Sequence, residues 1–190
     1  MHRTPWFLAL ALLGCATTSS AAVQEHAPAP DAPSEPAQPA VVAIPNARSP
    51  LPGIVTGGVP SEANLQEAKR LGYHTVISLL PEDESQTEAA SVTTLGLHFV
   101  SIPIRGAEDL TEENARRLGD VLSAPESRPL ILHCASGNRS GALLALHAFY
   151  VQGASVEQAL ALGEAAGLTK LRDAIEAQLR AASTATTTQP

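Results

Sequence analysis

Leu130-Ile131-Leu132-His133-Cys134-Ala135-Ser136-Gly137-Asn138-Arg139-Ser140-Gly141 runs from an apolar strand into a cysteine, a short glycine-bearing loop, an arginine and the start of a helical pattern. From Ala142 to Val151 the apolar residues Leu143, Leu146 and Tyr150, with Ala142, Ala145 and Phe149, recur at helical spacing, so a helix begins at the loop. The unpaired N–H groups and positive dipole end of a helix start favour an oxyanion there, and favour Cys134 as thiolate. Arg139 adds a fixed cation whose forked donors suit two oxygens of a phosphate or sulfate. Gly137 permits the turn, because a loop aiming several N–H groups inward needs a positive φ somewhere. Cys134 and Arg139 are thus candidate catalytic residues, and Ala135, Ser136, Gly137, Asn138 and Ser140 the lining of an anion site. Ser136 and Asn138 shape the loop through local hydrogen bonds. A free cysteine is more often inert packing, but the order strand, cysteine, glycine, arginine, helix start favours the anion site.

The 190 residues allow one domain once the ends are set aside. His2 and Arg3 open the chain, Trp6 to Leu13 is an apolar run too short for a stable membrane span, and small residues follow, which is the pattern of an export signal. Leu12-Leu13-Gly14-Cys15 resembles a bacterial lipobox, which makes residues 1–14 a lipoprotein signal peptide and Cys15 a lipidation site. The product would be an outer-membrane or periplasm-facing lipoprotein; cleavage near Ala21 or Ala22 would instead release a soluble periplasmic protein. Half of residues 16–45 are Ala or Pro, so residues 15–45 read as a tether. Residues 181–190 read as a disordered tail, leaving 46–180 as the domain. With Cys15 lipidated, Cys134 is the remaining thiol, and no C-x-x-C or Cys/His metal spacing occurs, so no metal or cofactor is expected. The net charge of −7, with no basic block outside the loop, argues against nucleic acid as a partner. A monomer is expected.

Strand and helix patterns alternate through the domain. Strands are expected over 53–56, 73–80, 97–102 and 130–133. Helices are expected after Ser61, near Ala89 to Leu95, after Thr111 and Ser155, and from Thr169. The alternation predicts an α/β fold with a central, mostly parallel, four- to five-stranded sheet flanked by helices. Ligands of such sheets bind outside the carboxyl ends of strands, where Cys134 falls.

His74-Thr75-Val76-Ile77-Ser78-Leu79, Gly96-Leu97-His98-Phe99-Val100-Ser101-Ile102-Pro103-Ile104 and Ser155-Val156-Glu157-Gln158-Ala159-Leu160, with the loop, resemble the cysteine-dependent protein tyrosine and dual-specificity phosphatase superfamily over most of residues 53–170. More narrowly, the loop resembles that of the phosphatase-like domain of bacterial beta-lactamase-hydrolase-like proteins, of the form C-x-S-G-x-R. The wider superfamily carries C-x5-R; here four residues separate Cys134 from Arg139, and Ser140 stands where the arginine is expected. Rhodanese-type sulfurtransferases hold a persulfide in a loop of this shorter kind, but no counterpart of the rhodanese acidic-arginine strand is found.

The resemblance implies a dual-specificity-phosphatase-like fold and hydrolysis of a phosphate monoester, or another oxyanionic substrate, through a cysteinyl-phosphate intermediate. It implies that Asp109, or next to it Glu108, protonates the leaving oxygen; a solvated turn residue before the Thr111 cap is the other assignment for Asp109. It implies that His133 orders the loop, a satisfied core histidine being the other assignment, and that Ser140 donates to the sulfur or else caps the helix. Two other functions stay open: persulfide transfer by Cys134, and an oxyanion-binding module without catalysis.

Overall fold

Five short strands carry the fold in the computed structural model, which describes residues 40–187: β1 (Arg48–Leu51), β2 (Ile54–Gly57), β3 (Thr75–Ser78), β4 (His98–Ser101) and β5 (Leu130–His133). The sheet order is β1-β2-β5-β3-β4, with β5 at the centre, its neighbours parallel to it, and β1 antiparallel to β2. Successive side chains on a strand point to opposite faces, and the central strands are apolar on both. Ile54, Ile77, Leu130 and Leu132 enter one core, whereas Val55, Val76 and Ile131 enter the other.

Helices α1 (Glu62–Arg70) and α2 (Glu82–Thr94) cover the second core through Leu65, Ala68 and Val92. Helices α3 (Glu112–Ser123), α4 (Asn138–Tyr150), α5 (Val156–Ala165) and α6 (Arg172–Thr187) close the first. The α/β architecture is the one the alternation predicts. The caps are also where the sequence places them: Ser61 and Ser155 form capping boxes with Asn64 and Gln158, and Thr111 caps α3.

Several boundaries differ for identifiable reasons. The helix expected near Ala89 to Leu95 begins earlier: the acidic run from Glu82 is the first turn of α2, where carboxylates meet the positive dipole end. Helix α4 starts at Asn138 rather than Ala142, because Gly137 in the left-handed region caps it. Packing begins before residue 46: Val42 and Ile44 are buried beside Tyr73, whose hydroxyl accepts from Val42 N–H at 3.3 Å. The segment expected as a tail from residue 181 instead continues α6 to Thr187. Ala181, Ala182 and Ala185 are strong helix formers, and Ile175 and Leu179 anchor the helix in the core. The expected signal peptide 1–14, the expected lipidation site Cys15 and the expected tether as far as residue 39 lie outside the described residues. Among the described residues no helix is long and apolar enough to cross a membrane.

One buried polar group makes the core acid-sensitive. His147 on α4 is 4% exposed and packs on Gly119 of α3. Burial lowers its pKa, the Arg128 cation lowers it further, and a hydrogen bond with the Ala115 backbone only partly opposes them. The unfolded chain therefore binds more protons between the ordinary imidazole value and the depressed folded one, so stability is full above about pH 6.5 and falls as pH drops through that window. Urea unfolding at several pH values should show the midpoint dropping in acid for the wild type and dropping less for His147→Leu. Parallel curves would overturn this account.

Candidate active site

Strand β5 delivers Cys134 to the carboxyl edge of the sheet between β2 and β3. Its N–H donates to the Gly57 carbonyl at 3.2 Å, while the preceding His133 carbonyl accepts from Leu79 N–H at 2.9 Å. The chain then turns sharply: Ser136 bridges to Gly58, and Asn46 Nδ2 donates to the Ser136 carbonyl at 3.3 Å. Gly137 makes the turn at φ 97°, a conformation side chains disfavour, and α4 starts directly after it. Ala135 and Ser136 are exposed at the mouth and Cys134, 1% exposed, forms the floor.

The loop N–H groups converge on the sulfur. Gly137 N–H donates to Cys134 Sγ at 3.1 Å. Burial pushes the Cys134 thiol up, but the backbone N–H groups of Ser136, Ser140, Gly137 and Arg139 together outweigh it and hold the thiol below its ordinary value. A thiolate titration by ultraviolet absorbance, taken as wild type minus Cys134→Ser, should therefore have a midpoint below that of an ordinary cysteine thiol in an unstructured peptide titrated alongside. A midpoint at or above that value would overturn the convergence.

Arg139, on the first turn of α4, is half-buried, and its Nη1 donates to the Ile104 carbonyl and, at 3.3 Å, to the Leu79 carbonyl. It thereby ties the loop to the end of β3 and to the segment after β4 that bears Asp109. Asp109 lies in the 3₁₀ turn Ala107–Asp109; its Oδ2 accepts from Arg105 N–H at 2.8 Å, and its carbonyl accepts from Asn114 Nδ2 at 2.8 Å. Glu108 beside it is exposed. Arg105 reaches on to Asp83 at 2.8 Å, an exposed pair that solvent screens.

Asn138 is placed differently from the sequence expectation. Its Oδ1 accepts from Thr169 N–H at 2.8 Å and Leu171 N–H at 3.4 Å, so its side chain braces the segment before α6 and does not line the anion site. The short polar side chain at a helix start does cap backbone N–H groups, but of a distant segment. Ser140 is fully buried; its N–H is among those on the sulfur, and its Oγ has no hydrogen-bond partner among the described residues.

His133 is fully buried at the end of β5, with its Nε2 2.7 Å from Glu88 Oε1. Glu88 is the residue that sequence reasoning passed over. Its signal was the helical spacing Ser85, Glu88, Val92, which turns Glu88 inward once α2 starts at Glu82. Among the described residues no cluster of three or more His, Cys, Asp or Glu side chains is placed to hold a metal ion. A cavity of about 510 Å³ lined by Thr75, His98 and Asp120 opens at the opposite ends of β3 and β4, away from the loop.

The family model described as "DSP-PTPase phosphatase fused to NAD+ Kinase" matches residues 51–181. Among solved structures, the chain is similar to the core catalytic domain of the PP-IP phosphatase Siw14 of S. cerevisiae, solved with citrate, at 17% identity and a TM-score of 0.57, covering 77% of this chain and 96% of that one. It is similar to Tk-PTP in its active form at 22% identity and a TM-score of 0.55, covering 71% and 96%. It is also similar to a DUF442 protein of Shewanella putrefaciens CN-32 assigned as a phosphatase, at 20% identity and a TM-score of 0.54, covering 73% and 91%. At these identities the likeness concerns the fold. No curated protein matches the chain.

Proposed function

Because the chain belongs to the family of DSP-PTPase phosphatase domains fused to NAD+ kinase, we propose that it hydrolyses a phosphate monoester through a cysteinyl-phosphate intermediate. Cys134 Sγ attacks phosphorus in line with the leaving oxygen; the S–P bond forms as the P–O bond breaks. The amides of residues 135–140 and the Arg139 donors not committed to Leu79 and Ile104 hold the equatorial oxygens, whose charge grows in the transition state. Asp109 gives its proton to the leaving oxygen from Oδ1, since Oδ2 is on Arg105 N–H. It then takes a proton from the water that attacks the intermediate, releasing orthophosphate and free thiolate.

The observation that carries this reading is a buried sulfur at the carboxyl end of the central strand with four backbone N–H groups lowering its pKa. The test is acid-quenched incubation with an aryl phosphate followed by mass spectrometry. Phosphate on Cys134 is expected, with none in Cys134→Ser. A persulfide on Cys134 after incubation with thiosulfate, and no phosphate adduct, would overturn the reading in favour of sulfur transfer.

We also propose that the domain acts as a monomer on an exported lipoprotein, tethered through lipid on Cys15. The support is the residue pattern of 1–15 and the Ala- and Pro-rich stretch after it. Expressed at full length in a bacterial host, the protein should fractionate with membranes and Cys15→Ala should not. Equal fractionation of both would remove the anchor from the proposal, and a dimer mass by light scattering would remove the monomer.

A further inference from the structure

Glu88 places a carboxylate almost wholly inside the protein, its side chain 8% exposed, where such a group is costly unless it is paired. Each of its oxygens meets a polar side chain at the carboxyl ends of the two central strands. Oε2 accepts from Ser78 Oγ at 2.9 Å, and Oε1 lies 2.7 Å from His133 Nε2. Ser78 and His133 face each other in the β3–β5 register as the last residues of their strands, and Cys134 follows His133. The carboxylate thus straps helix α2 across both strand ends, next to the nucleophile.

Leu79 pins the backbone of His133, but among the described residues its imidazole has no polar partner besides Glu88. Its Nδ1 has no hydrogen-bond partner among the described residues, and the Nε2 contact with Glu88 is close without being aligned as a hydrogen bond. Replacing a buried ion pair by an apolar pair of similar volume is often neutral or stabilising, so stability is a weak reason for a buried acid here.

We infer that Glu88 is a positioning residue: by holding His133 against Ser78, it fixes the end of β5 so that Cys134 stays at the point where the loop amides converge. This rests on Cys134 being the working nucleophile, and it predicts a direction that a simple charge effect would not give. Removing a negative charge near a thiol makes the thiolate easier to form and moves its titration midpoint down. Releasing His133 lets the four N–H groups drift from the sulfur and moves the midpoint up.

The experiment is the thiolate titration of the full-length protein, carried out in Glu88→Gln and in Ser78→Ala, each corrected with a matching Cys134→Ser partner. Circular dichroism confirms that each variant is folded. In Glu88→Gln the ratio of thiolate to thiol at a given pH should fall about tenfold, one pH unit in the midpoint. Ser78→Ala, which leaves the charge in place, should move it in the same direction by less, and it serves alone if Glu88→Gln fails to fold. A midpoint that moves down, or stays put in the folded variants, overturns the inference. On an aryl phosphate, kcat of Glu88→Gln should fall about tenfold or more with KM little changed, as for a displaced reacting group. Upward titration shifts in the variants, with a wild type that turns over no phosphate ester, would sink the phosphatase reading and leave the positioning role standing. Turnover by the wild type without the titration shift would do the reverse.

Discussion

Cys134→Ser lowers turnover of an aryl phosphate by about 10⁴-fold or more, the scale on which removal of a covalent nucleophile acts. The loss is expected because the four N–H groups that hold the thiolate do not make an alkoxide: a serine hydroxyl starts many pH units above a thiol, beyond the reach of a few hydrogen bonds. The substitution swaps one small atom for another at the end of β5, so Gly57 and Leu79 still pin the strand end and the amides still face inward. Orthophosphate, read by calorimetry, should therefore still bind to the variant. Initial rates with the two proteins at equal concentration decide the matter: comparable rates would mean that Cys134 is not the nucleophile, whatever the loop binds.

Gly141→Ala destabilises the domain by about 3 kcal/mol, in the range for overpacking a close contact, and lowers Tm by about 10 °C. A Cβ at residue 141 would fall 2.3 Å from Leu168 N and 2.5 Å from the Gly163 carbonyl oxygen. Both are backbone atoms, so no side chain can swing aside; α4 and the α5–Leu168 segment would have to separate. The one-turn helix start that carries Arg139 and Ser140 would move with them, so activity should fall along with stability. Thermal unfolding by circular dichroism gives the answer, and a Tm within about 2 °C of wild type, less than 1 kcal/mol, would show that the two segments part at little cost.

Much of this was legible in the chain. The strand and helix patterns and the serine and threonine caps placed most elements, because each is a local preference that the packing endorses. Strand β1 escaped because Arg48-Ser49-Pro50-Leu51 has no alternation; it exists as an edge hydrogen-bonded to β2. At the site, Cys134, Gly137 and Arg139 were readable from composition and order within one segment. What was not readable is where long side chains end. Arg139 reaches the Leu79 and Ile104 carbonyls, Asn138 reaches Thr169 across 31 positions, and Glu88 reaches His133 from an acidic stretch ahead of the helix expected near Ala89 to Leu95. Such contacts are set by the packing of whole elements, which no short window of sequence contains.

The loop around Cys134 is braced from all along the chain: by Asn46, by Gly57 and Gly58, by Leu79, by Ile104, and by Thr169 through Asn138. Most of these closures are long-range, and long-range contacts form only as the whole domain comes together. The acidity of the thiol is then a property of the finished molecule and not of the motif. A chain still lacking residues beyond α5 carries the same loop sequence with an unfinished brace, so its cysteine would be expected to titrate nearer to an ordinary one. Chemistry at Cys134 would begin only when folding is complete, which spares the unfolded chain a reactive thiolate.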